Sequence, residues 1–177
     1  FANMTRSGFD KVFNAKAGGA WNIYHALSGL KLKPDFIVLI SSMSSVLGLK
    51  GQSNYAAANY FEDALCERWR AEGQNAFSIN YGVLGEYAGM SKAGKDKTGV
   101  LGLLEAHGMN SMRKFDVFNK SEMLFLDKPV HRLVADIDWK KFGIAYPNLI
   151  RDSRFEAVFK KAGSKAKSGA SKGMNLA

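Results

Sequence analysis

FIVLISSMSSVLGLKGQSNYAAANYFEDAL, residues 36–65, decides the fold. It opens on an unbroken apolar run, Phe36 to Ile40. A strand wetted on one face alternates apolar and polar residues, so an unbroken run reads as a strand covered on both faces, as in a parallel sheet. Serines and two glycines then interrupt it. From Ser53 to Glu72 the pattern is helical, and Gly73 stands where it can end the helix. Strand, polar turn and helix in this order point to an α/β fold.

Working outward, PDFIVLI (34–40) is followed by AFSINYG (76–82) and HRLVADIDW (131–139) as further strands. Upstream, Gly8 to Leu30 reads as a helix packed through Phe9, Val12, Phe13, Trp21 and Ile23. Three strands behind an opening helix would leave a sheet edge without a neighbour. The expectation is therefore the C-terminal half of a larger domain. No internal repeat is present.

The chain has 177 residues, 46% of them apolar, which suffices for one domain with a packed core. No apolar run approaches the ~18 residues of a membrane span, and FANMTRSGFDKVF (1–13) lacks the layout of a signal peptide. The single cysteine, Cys66, excludes an internal disulfide, fits a reducing cytoplasm, and reads as a small buried hydrophobe. Net charge is +9. Part of it is local: residues 160–177 carry five lysines and no acid among Gly, Ser and Ala, the composition of a flexible tail or linker. No aromatic residue interleaves with those lysines, which argues against stacking on nucleic acid bases.

Some motifs fail on inspection. GMSKAGKD (89–96) has phosphate-loop spacing, but Asp96 stands where a hydroxyl should bind magnesium. GQSNY (51–55) begins like a hydrolase elbow and ends on tyrosine. His25, His107 and His131 are scattered, so neither a catalytic triad nor a metal-ligand pattern emerges. G-x-G-x-x-G does not occur.

One constellation survives. Ligands of α/β sheets bind beyond the carboxyl ends of strands, where Ser41 and Ser42 fall. Tyr55 and Asn59 share one helix face at i and i+4. The Ser42 hydroxyl and the Tyr55 phenol can converge on one carbonyl oxygen, the serine holding it and the tyrosine giving it a proton. A phenol titrates near ~10, so a neighbouring cation would help it act near neutrality. Lys16, on the preceding helix, can supply that charge across from Asn59.

These residues resemble the short-chain dehydrogenase/reductase superfamily, and more narrowly the ketoreductase domain of type I polyketide synthases and related fatty acid synthases. FANMTRSGFDKVFNAKAGGAWNIYHAL carries the family's Lys-x-x-Gly pattern, residues 36–65 its serine–tyrosine segment, and AFSINYGVLGEYAGM the following strand and loop. The resemblance covers about residues 1–140 and is most specific over 37–65. It implies a Rossmann-like doubly wound parallel sheet. It also implies that Ser42 orients a ketone, Tyr55 donates the proton, and Lys16 and Asn59 support the tyrosine and the nicotinamide ribose. Gly82 and Val83 would close over the nicotinamide of NADPH. By this reading residues 1–159 are ketoreductase, with a mobile lid over about 86–110 that meets a phosphopantetheine arm, and 160–177 lead to the next synthase domain. An acyl carrier protein would present the substrate. The glycine-rich cofactor loop would precede residue 1. Ser45 stands where the family usually has glycine, which reads as a local packing change. Two rivals remain: a non-catalytic reductase-like scaffold, and a stand-alone short-chain dehydrogenase acting on a small alcohol.

Overall fold

A computed structural model describes residues 3–85, 100–127 and 129–170. They form two compact units, Phe1–Gly82 with Arg113–Ala135, and Val83–Met112 with Asp136–Ala177.

The first unit opens on α1 (Arg6–Phe13), capped by Thr5, whose hydroxyl accepts from the Gly8 amide at 3.0 Å. The helix continues through a π-helical turn, Asn14–Gly18, into α2 (Gly19–Gly29). Then come β1 (Ile37–Ser42), the short α3 (Met43–Leu47), α4 (Ser53–Ala71) and β2 (Ala76–Tyr81). Gly73 adopts φ +82° beyond α4, a conformation that only glycine takes cheaply. The strands β1, β2 and β4 (His131–Val134) make a parallel sheet in the order β1-β2-β4, as the apolar runs imply.

The core lies where α2 and α4 cover this sheet. Ala20, Tyr24, Ile37, Leu65, Cys66, Trp69 and Ala76 form one buried cluster. Burying each large apolar side chain is worth roughly 1.5–3 kcal/mol. Of the packing residues expected on the first helix, Trp21 and Ile23 are exposed. The buried positions are Ala17, Ala20 and Tyr24 instead. Small side chains there leave little separating the helix backbone from α4. The strand enclosed on both faces is β2. β1 occupies an edge of the described sheet and leaves Ile40 54% exposed.

The second unit contains α5 (Val100–Ala106), β3 (Met109–Asn110), β5 (Asp136–Ile137), α7 (Trp139–Ala145), α8 (Pro147–Ile150), a 3-10 turn (Ser153–Phe155) and α9 (Glu156–Ala170). The remaining helix, α6 (Lys114–Asp127), belongs to the first unit. Two expectations change here. HRLVADIDW is not one strand: the chain leaves the parallel sheet at Ala135, and β5 pairs antiparallel with β3. The lysine-rich stretch from 160 is helical as far as Ala170, because Glu156, Ala and Lys are good helix formers and Glu156 pairs with Lys160 one turn on. Of the expected lid, residues 86–99 lie outside the described residues, as does GMSKAGKD; the rest is α5 and β3, with Met109 fully buried. Among the described residues, no helix is long and apolar enough to cross a membrane.

Candidate active site

Ser42 ends β1 and caps α3. Its backbone is extended, and its Oγ accepts from the Ser44 amide at 3.2 Å. No acceptor takes its own proton among the described residues. Thirteen residues on, Tyr55 lies in the first turn of α4, half-buried, its phenol likewise without a hydrogen-bond partner among the described residues.

Asn59 lies one turn further and is 0% exposed. Its Nδ2 donates to the Tyr55 carbonyl at 2.7 Å, and the Ser41 hydroxyl donates to the Asn59 carbonyl at 3.2 Å. The second bond ties α4 to the end of β1. Asn59 Oδ1 is buried with nothing to accept from. Such a group costs about 1–3 kcal/mol while unsatisfied, as do Ser44 Oγ and Asn80 Oδ1, which are orphaned in the same way among the described residues.

Lys16 is the central residue of the π-turn, an irregularity that concentrates at functional sites. Its ammonium donates to the Ile40 carbonyl at 2.9 Å, near the carboxyl end of β1. It also lies 3.0 Å from Glu62 Oε2 on α4. Lys16 and Asn59 thus come from different helices of one unit. No direct hydrogen bond joins Lys16, Ser42 and Tyr55 to one another among the described residues.

Of the two closing residues, Gly82 ends the first unit and Val83 begins the second. A Cβ on Gly82 would meet Ala135 Cβ at 2.8 Å, so packing against the end of β4 by itself requires glycine there. Among the described residues, no group of three or more His, Cys, Asp or Glu side chains could hold a metal ion.

The sequence reading passed over a buried polar network beneath these residues. Asp63 Oδ1 accepts from Ser78 at 2.7 Å; Oδ2 accepts from Ser45 and from Asn80 Nδ2, both at 2.7 Å. Asn80 also donates toward Ser41 and Ser45, and Ser45 toward the Ser42 carbonyl. Ser41 therefore lies buried in β1 and Ser44 buried in α3, with Ser45 half-buried beside it. Ser45 is a bridge between Asp63 and Ser42, more than a packing change. Cys66, next along the helix, is fully buried, and loss of water pushes its thiol up to about 12, helped by the charges of Asp63 and Glu62. Asp63 lies four residues after Asn59, and Glu62 lies three after it, a spacing that could have placed both on the inner side of α4.

Residues 1–86 match the KR domain family. The highly reducing polyketide synthase lcsB of Purpureocillium lilacinum is 34% identical over 76% of this chain, and the lovastatin diketide synthase lovF of Aspergillus terreus is 40% identical over 47% of it. The chain spans 5% and 3% of those two proteins. Among solved structures, the first ketoreductase of the tylosin polyketide synthase superposes with a TM-score of 0.73 at 31% identity, covering 90% of this chain and 34% of that one. An A-type ketoreductase from a modular polyketide synthase gives 0.72 at 27%, covering 81% and 29%. The fold is that of the short-chain dehydrogenase/reductases. Residues 1–86 thus carry the pattern of a ketoreductase domain, and the relatives that the chain resembles are polyketide synthases.

Proposed function

We propose that this chain carries the proton-donating half of an NADPH-dependent β-ketoacyl reductase site within a cytosolic polyketide synthase. The substrate is a β-ketoacyl thioester delivered on the phosphopantetheine arm of an acyl carrier protein, and the product is the β-hydroxyacyl thioester. The observation that carries this reading is one unit holding an unpartnered Tyr55 phenol, a Ser42 hydroxyl free to donate at a strand end, and a buried Asn59 Oδ1 awaiting a donor. These groups fit a ketone and a ribose hydroxyl.

Ser42 donates to the ketone oxygen and orients it. Tyr55 gives its proton to that oxygen as negative charge develops there. Lys16, held over the end of β1, stabilises the phenolate left behind, which recovers a proton from solvent. Asn59 Oδ1 accepts from a ribose hydroxyl or a bridging water. When bound, NADPH supplies the hydride to the ketone carbon and leaves as NADP+.

The test is NADPH oxidation by a synthase carrying this chain, with a β-ketoacyl thioester as substrate. Tyr55→Phe lowers turnover by about 10²- to 10⁴-fold while NADPH binding persists. A folded wild type that neither binds NADPH nor reduces the ketone excludes the proposal and leaves a scaffold.

A further inference from the structure

Glu62, which meets Lys16, has been given no role so far, yet it is an ionisable side chain only 6% exposed. It follows Asn59 by three residues and Tyr55 by seven, so all three share one face of α4. A buried carboxylate is unfavourable unless paired, and the cation it meets is the Lys16 ammonium, 3.0 Å away. Oε2 has no hydrogen-bond partner among the described residues beyond this ionic contact. The contact is an ion pair held by charge and burial. Burial pushes the Glu62 carboxyl up from its ordinary value, and Lys16 pulls it back. The other titratable groups near it are Asp63 and Cys66 on its own helix; β1 and α3 contribute none.

We propose that Glu62 is a positioning residue for the reduction: it fixes the Lys16 ammonium at the end of β1 and offsets part of the positive charge that Tyr55 experiences. This rests on the reading of Tyr55 as proton donor and Lys16 as its cation. A bare lysine on a π-turn could swing outward, since its side chain is 25% exposed. With Glu62 on one side and the Ile40 carbonyl on the other, the ammonium is pinned between α4 and the sheet. The negative charge has a cost in the reaction: a carboxylate paired with the Lys16 ammonium weakens the help the lysine gives. Glu62 thus trades electrostatic strength for position.

The experiment compares the wild-type chain with Glu62→Gln, Glu62→Asp and Lys16→Met. The first readout is acylation of lysines by a mild amine reagent, followed by mass spectrometry and normalised to the exposed Lys140. Lys16 is acylated several-fold more slowly than Lys140 in the wild type, and several-fold faster in Glu62→Gln than in the wild type; Glu62→Asp restores part of the protection. The second readout is the pH profile of ketone reduction in the synthase. Glu62→Gln moves the alkaline limb to lower pH, and Lys16→Met moves it to higher pH. If Tyr55→Phe and Lys16→Met leave reduction unchanged, the proposed function falls by itself. If those two variants abolish or shift it while Glu62→Gln changes neither Lys16 acylation nor the profile, the role of Glu62 is overturned. If Glu62→Gln does not fold, the wild type still decides: acylation of Lys16 at the rate of Lys140 refutes the pairing.

Discussion

Asp63→Ala is expected to cost the first unit about 3 kcal/mol. The carboxylate is 7% exposed and accepts three short hydrogen bonds, from Ser78, Ser45 and Asn80. Bonds to a charged acceptor contribute roughly 1.5–3 kcal/mol each, but the losses do not sum. Ser45 can turn its proton wholly to the Ser42 carbonyl at 2.9 Å, and the Asn80 amide keeps Ser41 and Ser45 as acceptors. Ser78 has no such alternative and is left buried beside a cavity. One stranded hydroxyl at about 1–3 kcal/mol, plus one weakened amide at about 1 kcal/mol, gives the expected total. Removing a buried charge returns some desolvation energy, which sets the value below the sum of three charged bonds. Asp63→Asn gains less than its shape suggests, because one of its two polar atoms becomes a donor facing the donors of Ser45 or Asn80. Its expected cost is about 2 kcal/mol. The assay is urea unfolding followed by the fluorescence of Trp69, fully buried in the first unit, with the slope checked for constancy. A loss below about 1 kcal/mol at unchanged slope would refute the reasoning, since the network would then be ornamental.

Gly82→Ala is expected to destabilise by roughly 1–3 kcal/mol even without cofactor, because the new methyl meets Ala135 at 2.8 Å; Ala135→Gly in the same chain recovers part of it in the same unfolding assay. Cys66 is expected to resist thiol reagents at pH 8 in the folded chain and to react on unfolding. A thiol raised from 9.0 to about 12 holds about a thousand-fold less thiolate. Glu62 makes stability depend on pH with a definite sign. Its carboxyl is raised in the folded state, so the folded chain binds the proton more tightly, and its contribution falls as pH rises from the ordinary value of 4.5 through the raised one. The stability of wild type relative to Glu62→Gln should therefore grow as pH is lowered from 7 toward 4.5, as unfolding curves at several pH values would show.

The parallel sheet and the long α4 were legible because an apolar run between turn signals, and a helix ended by Gly73, each has one economical reading. The third strand was not. HRLVADIDW stays apolar at alternate positions across Ala135, and nothing local marks where the chain passes from one unit to the other. The first helix misled through its large residues: Trp21 and Ile23 stand outward while Ala17 and Ala20 make the close approach, and hydrophobicity cannot distinguish the two. At the site, Tyr55 and Asn59 stood out because a phenol and an amide punctuate a run of alanines. Glu62 and Asp63 did not, since acids on a long helix usually face water. That they face inward depends on Lys16, Ser78 and Asn80, partners distant in sequence.

The central claim is that Tyr55 gives the proton. The most direct test is the rate of NADPH oxidation with a β-ketoacyl thioester, for a synthase carrying this chain and for its Tyr55→Phe variant, at matched NADPH occupancy. Loss of a positioned general acid predicts a fall of about 10²- to 10⁴-fold in the variant. Equal turnover in the two proteins would contradict the account and assign the proton to another group.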